Sequence, residues 1–401
     1  MISPLQKRFP RVKIVCLHVE DVDVQAILER EIPDVYASSI EIIEWKPSQQ
    51  VFGERYLRLL AETAAFIKRA DANKRTTDYF GERWFSNFFK KIDTIKKLIV
   101  FEQFDKPIIV VGAGPGLEAS MQTIKTLQKR GAFILAVSAA CAALLKNGVS
   151  PDMVATSDGG NWALFHLFEL IRFCRQTPNA AEIPIATTMN AILPTEIANS
   201  PALLISDGSL WQNTILRSLG LPFFSTPQRG TVTAQALDLA FALTPSNVFI
   251  TGMDLANRDI LAHAHPYALD FHAHAATRLT PLYSSAFVRA ADNSFAVYAD
   301  WFKRQLNFYP KRLFTIGENH PVFSSLPAWT DTKDATADKQ FRQETRIFNL
   351  AAKGVYGKKV VEILLDALKN GASRQKITRE IEELLSCVVD EETIMKKARV
   401  K

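Results

Sequence analysis

The stretch Val110-Val111-Gly112-Ala113-Gly114-Pro115-Gly116-Leu117-Glu118 puts an apolar strand, a glycine-rich turn and a helix start in direct succession. Lacking Cβ atoms, such a turn lets a phosphate approach the backbone, while the helix start offers unpaired N–H groups and the positive end of its dipole. A negative charge placed there gains about 0.3–1 kcal/mol, and up to about 2 when partly buried. Gly112, Gly114, Pro115 and Gly116 are therefore candidate nucleotide-binding residues. A plain tight strand–helix turn is the other reading of the same residues. The dinucleotide fingerprint is excluded, because its third glycine would fall on Leu117 and the next strand ends at Ser138 instead of an acidic residue. A Walker-type loop is excluded too, since no Gly-Lys-Ser/Thr follows.

Further along, Gln228-Arg229-Gly230-Thr231 precedes an apolar helix. Thr231 suits its N-cap and Arg229 could pair with a phosphate. Asp158 and Asp254 each stand just beyond a strand C-terminus, the edge where open α/β sheets bind ligands. Either carboxylate could equally be a local cap. Four of the seven histidines fall close together, at His263, His265, His272 and His274. Two His-x-His pairs invite a metal reading, but no Cys lies near and Asp259 and Asp270 show no established ligand spacing. A titratable histidine beside a phosphate or an acceptor hydroxyl fits better, so no metal site is assigned.

These residues need a scaffold, and the apolar pattern supplies one. Strands are predicted at 108–111, 133–137, 153–156, 185–188 and 248–251, with helices at 116–130, 139–146, 210–219 and 231–243. That alternation predicts an α/β fold, with a mostly parallel sheet covered by helices on both faces. Residues 1–100 read as a small α/β domain: strands at 12–18 and 39–45, a helix at 22–30, and amphipathic helices at 54–69 and 77–99. In the last of these Phe80, Trp84, Phe88, Ile92, Ile95 and Ile99 form one buried stripe. Residues 101–330 carry the chemistry. Residues 331–401 form a charged helical region, with helices at 358–369 and 373–387, that would pack on the core or on a second subunit, so a homo-oligomer fits.

The chain has 401 residues, a net charge of +6 and four scattered cysteines, which fits a reducing compartment and no disulfide framework. Divided by position, residues 1–150 carry 22 basic and 17 acidic groups, 151–300 carry 7 and 12, and 301–401 carry 19 and 13. The central part is thus net −5 and the excess lies on the flanks, which disfavours a nucleic-acid groove. Its densest basic stretch, 55–97, interleaves charge with apolar residues and reads as a solvated helix face. The basic flanks suit docking to an acidic protein acceptor or a second subunit. No segment has the apolar length to span a membrane, and the N-terminus lacks a leader pattern, so a cytoplasmic protein is expected.

Several ordered pieces together carry a resemblance. They are Trp84-Phe85-Ser86-Asn87, Gly112 to Leu117, Leu145-Lys146-Asn147-Gly148-Val149-Ser150-Pro151-Asp152, Ser157-Asp158, Gly230-Thr231-Val232-Thr233, and Gly252-Met253-Asp254-Leu255-Ala256 followed by His263-Ala264. In order and spacing the chain resembles the Maf (motility accessory factor) family of flagellin glycosyltransferases, whose central domain is related to the MptE-type 6-hydroxymethylpterin pyrophosphokinase. The resemblance implies a Rossmann-like, sialyltransferase-like core that takes a nonulosonic acid, of pseudaminic or legionaminic type, from a CMP-activated sugar donor to Ser/Thr hydroxyls of flagellin. It implies that Gly112, Gly114 and Gly116 line the nucleotide loop. Ser138 and Asp158 would then lie on its rim, and Thr231 and Asp254 would border the donor. His263 becomes the base or a phosphate-facing group. A divalent metal is compatible but not required. The alternatives are pyrophosphate transfer from ATP to a pterin alcohol, with Mg²⁺ on Asp158 and Asp254, and a non-catalytic nucleotide-binding scaffold.

Overall fold

The central strands of the sheet are short and buried on both faces. Ile108–Val111, Met153–Thr156 and Ile185–Thr188 show no exposed position, which is the pattern of parallel strands covered by helices. The computed structural model describes residues 40–100, 102–177, 182–197, 199–257, 262–270, 294–330, 347–349 and 355–398, together with residues 8, 24, 27 and 28. The chain divides into two compact units, Met1–Gly81 with Glu383–Cys387, and Glu82–Glu382 with Val388–Lys401.

In the first unit, α1 (Lys46–Phe52) is followed by the opening turns of α2 (Glu54–Thr94). Phe66 and Ala70 are buried, with Leu28, Ile40 and Ile67 against them. Gly81 touches the backbone of Leu384, where a Cβ would come 1.8 Å from the carbonyl oxygen. Two separate helices, 54–69 and 77–99, were expected here, and one 41-residue helix is found. No Gly or Pro interrupts residues 70–76, and the i,i+4 pairs Asp71–Arg75 and Lys74–Asp78 bridge the join. The strand expected at 39–45 does not form over 40–45, which have irregular backbone. The strand expected at 12–18 and most of the helix at 22–30 lie outside the described residues.

Among the described residues, the second unit holds a ten-stranded sheet of β1 (Lys97–Ile99), β2 (Ile108–Val111), β3 (Phe133–Val137), β4 (Met153–Thr156), β5 (Ile185–Thr188), β6 (Ala202–Ser206), β7 (Phe223–Ser225), β8 (Val248–Thr251), β9 (Leu313–Thr315) and β10 (Ile347–Asn349). Their order is β10-β1-β6-β5-β4-β3-β2-β8-β9, with β7 also on β6. Every pairing is parallel except β1 with β10. This is the expected α/β class, with one antiparallel strand added from the C-terminal region.

Helices cover both faces. They are α3 (Leu117–Lys129), α4 (Cys141–Lys146), α5 (Ala163–His166), α6 (Phe168–Gln176), α7 (Leu210–Ser218), α8 (Val232–Leu243) and α9 (Ser294–Gln305). Helix α8, rich in Ala and Leu, lies on β2, β3 and β4. On the other face Cys141, Val154, Leu167, Leu170 and Ile185 form a second apolar cluster. Thr231 caps α8 as its type predicts, accepting the Ala234 N–H at 3.0 Å. The C-terminal α10 (Val355–Asn370), α11 (Arg374–Leu385) and α12 (Glu391–Ala398) follow, with α10 packed on α7 and α12. Because β2, β3, β4 and β8 run parallel and in register, Gly112, Ser138, Asp158 and Asp254 all emerge along one edge of the sheet.

Candidate functional site

The glycine loop between β2 and α3 is built around a carboxylate of the protein itself. Asp254, just past β8 and only 6% exposed, accepts the Gly116 N–H with both oxygens at 2.9 Å. A Cβ at Gly114 would stand 2.2 Å from Asp254 Oδ2, and one at Gly116 would stand 2.8 Å from the Glu318 carbonyl. Four neighbouring amides are taken as well. Gly112 donates to Thr251, Gly114 to Gly252, Leu117 to Gly114 and Glu118 to Pro115. The anion position at the start of α3 is therefore filled from within, and Pro115 is buried beneath it. The glycines thus admit Asp254 and the Gly252 backbone, and the loop forms a floor on which other segments rest.

A short segment, 262–270, is tied over that floor. Ala264 donates its N–H to the Ala113 carbonyl at 2.8 Å, and the His265 N–H donates to Glu118 Oε1 at 2.8 Å. Asp270 Oδ2 accepts the Tyr267 N–H and lies 2.7 Å from His265 Nδ1. The segment is thereby fixed so that the His263 ring stacks on Tyr267, with centroids 4.0 Å apart and planes 5° from parallel. The Tyr267 hydroxyl lies 2.9 Å from His166 Nε2, at the end of α5. His272 and His274 lie outside the described residues.

The electrostatics of this group follow from burial. Burial, reinforced by the carboxylates of Asp270 and Asp158, pushes the Tyr267 phenol up to about 12, so it stays protonated and can donate. Burial pushes the His166 imidazole below its ordinary value, against the opposing pull of Asp158, so it is held neutral and can accept. Asp158 itself is exposed, with Oδ1 accepting the Gly160 N–H at 2.7 Å. A fixed donor, a neutral acceptor and an open carboxylate thus share one end of the cleft. Next to them Trp162 stacks on Phe165 at 5.6 Å, and Phe165 meets Phe168 at 5.0 Å.

The remaining predicted residues spread apart. Ser138 is buried where β3 passes into a turn of 3-10 helix. Arg229 does not face the glycine loop. It pairs with Asp238 at 2.6 Å and lies over the Trp301 ring at 5.8 Å, in a cavity shared with Tyr309. Asp254 serves as a clamp on Gly116. His263 and Asp158 both belong to the cleft around Tyr267. Among the described residues no three His, Cys, Asp or Glu side chains gather as metal ligands would. Sequence reasoning missed His166 and Tyr267, which stand eight residues after Asp158 and four after His263. It also missed Lys91, read as part of a solvated face and found only 3% exposed.

A mostly parallel α/β sheet with its polar groups along the strand C-termini defines a Rossmann-like domain of the kind that binds small ligands at that edge. Residues 82–259 match the family described as 6-hydroxymethylpterin diphosphokinase MptE-like. Two proteins of Treponema pallidum (strain Nichols), both described as uncharacterised, are similar to it. One is 26% identical over 280 residues, 70% of this chain and 60% of the relative; the other is 29% identical over 221 residues, 53% of this chain and 37% of the relative. This chain thus spans less than two thirds of either relative's length. A solved structure of the Maf glycosyltransferase from Magnetospirillum magneticum AMB-1 aligns over 85% of this chain and 56% of its own, with a TM-score of 0.45 and 12% identity. Among the described residues no helix is long and apolar enough to cross a membrane.

Proposed function

We propose that this chain is a glycosyltransferase that moves a nonulosonic acid, of pseudaminic or legionaminic type, from a CMP-activated donor to Ser/Thr hydroxyls of flagellin or another protein acceptor. The observation that carries this reading is the convergence of Asp158, His166, Tyr267 and His263 over the glycine-loop floor. The donor and acceptor classes rest on the ordered sequence pieces that resemble the Maf family. In the transfer, the bond from the anomeric carbon to the CMP phosphate oxygen breaks and a bond to the acceptor oxygen forms. The acceptor proton passes to a base, and CMP departs. Asp158, open to solvent, or His263 takes that proton; Tyr267, held protonated, donates to developing negative charge. Residues 101–330 form the catalytic segment. The basic flanks dock an acidic acceptor or a second copy, and the protein works in the cytoplasm.

A second reading, pyrophosphoryl transfer from ATP to a pterin alcohol, is favoured by the MptE-like match over 82–259. It would use Asp158 and Asp254 for Mg²⁺, yet both Asp254 oxygens are turned to the Gly116 amide. A thermal-shift panel separates the readings. Stabilisation by CMP or CTP above that by ATP with Mg²⁺ supports glycosyl transfer. Stabilisation by ATP with Mg²⁺ alone would sink it, and no shift with any nucleotide would count against both readings.

A further inference from the structure

Three residues on the last turns of α2, Trp84, Asn87 and Lys91, share one helix face by their spacing of three and four. Trp84 and Asn87 meet the loop that follows β4, Asn87 also meets the loop that follows β5, and Lys91 meets the last two residues of β5. Asn87 Nδ2 donates to the Gly159 carbonyl at 3.3 Å and to the Asn190 carbonyl at 3.0 Å. Lys91 Nζ donates to Thr187 Oγ1 at 2.6 Å and to the Thr188 carbonyl. The Trp84 indole lies so close to Gly159 that a Cβ there would come 2.5 Å from its Cδ1. The loops are also tied to each other, by Thr188 Oγ1 to the Ser157 carbonyl and by the Ile192 N–H to the Asp158 carbonyl. On its far side Asn190 is held by Gln212 and Asp207.

From this seam we infer that Asn87, directly through the Gly159 carbonyl, and Lys91, through Thr188 and its bond to the Ser157 carbonyl, are positioning residues that hold the backbone of Ser157–Gly160 and so set where the Asp158 carboxylate stands. Stability alone does not explain them. Phe85, Phe88 and Ile92 on the same turns are buried, so apolar side chains fit there. Lys91 instead buries an amine against uncharged oxygens, and burial drives that amine well below its ordinary value. A buried polar network that is fully satisfied fixes one geometry. What it fixes here is the loop whose carboxylate acts on both His166 and Tyr267. The role of Asp158 rests on the proposed transfer; the placement of the loop does not.

The test uses the full chain with Asn87→Ala and with Lys91→Met, each alone and combined with Asp158→Asn. Amide hydrogen exchange should speed up in residues 157–162 and 189–192 and stay unchanged in β2 and β3. With a CMP-activated nonulosonic acid and a hydroxyl acceptor, kcat should fall about 10- to 100-fold while KM moves by less than about twofold. In the Asp158→Asn background the same substitutions should cost little more, because they act through Asp158. Unchanged exchange in the two loops, or losses that multiply with Asp158→Asn, would overturn the inference. If the wild type turns over no such donor, the transfer reading fails, and the exchange experiment still decides the positioning role. Asn87→Ser replaces Asn87→Ala should the latter not fold.

Discussion

Asp254 turns both carboxylate oxygens onto the Gly116 amide, each at 2.9 Å, and so seats the protein's own anion at the start of α3. The two residues are far apart in sequence and adjacent only because β2 and β8 pair in parallel register.

Removing that anion should cost stability. Asp254→Ala leaves a buried N–H unsatisfied and strips charge from the helix start, an expected loss of about 1–3 kcal/mol. Asp254→Asn keeps an acceptor and should lose less. Urea unfolding of the two variants measures the difference. Equal losses would mean that the carboxylate does not act through Gly116.

Tyr267→Phe keeps the ring stacked on His263 and removes only the hydroxyl that reaches His166. Its unfolding free energy should drop by no more than about 1.5 kcal/mol. Turnover of the CMP-activated donor should fall about 100-fold or more. A variant with wild-type turnover would remove the hydroxyl from the reaction.

Acid should weaken the fold through His166. Its folded value lies below the ordinary 6.5, so below that pH the unfolded chain takes up a proton that the folded chain refuses. Stability is then present above the unfolded value and declines as pH falls toward the folded one. His166→Gln should flatten that decline, read as the difference between the two proteins' urea midpoints across that range. Parallel curves would contradict it.

Lys91 should act at the other end of the scale. Its amine is driven well below 10.5 in the fold, so raising the pH toward that value deprotonates the unfolded chain and lifts the folded state's relative stability. Lys91→Met should lose this alkaline gain. An identical rise in both proteins would show that Lys91 is charged in the fold.

Arg229 separates structure from ligand binding. Because it is committed to Asp238, Arg229→Ala should destabilise the protein by about 1–3 kcal/mol. CMP affinity should stay within about twofold of wild type. A selective loss of CMP binding would return Arg229 to the cleft.

What could be read from the sequence was local. The strand, glycine turn and helix of 108–129, the Thr231 cap and the strand-end aspartates follow from neighbours in the chain. Contacts between distant segments were not readable. His166 meets Tyr267 across 101 positions, and Lys91 looks like any helical lysine until β5 is placed beside it. Strands β6, β7 and β9 were also missed. Residues 202–206 are a brief apolar run with no alternation, and only the neighbouring parallel strands make it extended. Residues 95–99 look like the end of a helical stripe, yet β6 and β10 draw residues 97–99 into the sheet.

Strand β1 pairs with β6 through Leu98 and Ala202 on one side, and with β10 through Leu98 and Phe348 on the other. Both neighbours are translated after it. As the nascent chain leaves the ribosome, β1 has no partner until β6 emerges. It then remains an open edge until residues 347–349 follow. An unprotected edge of this kind invites pairing with another chain. A product truncated before residue 347 would keep that edge uncovered, and the C-terminal region then serves the rest of the fold as its last strand and its protection against aggregation.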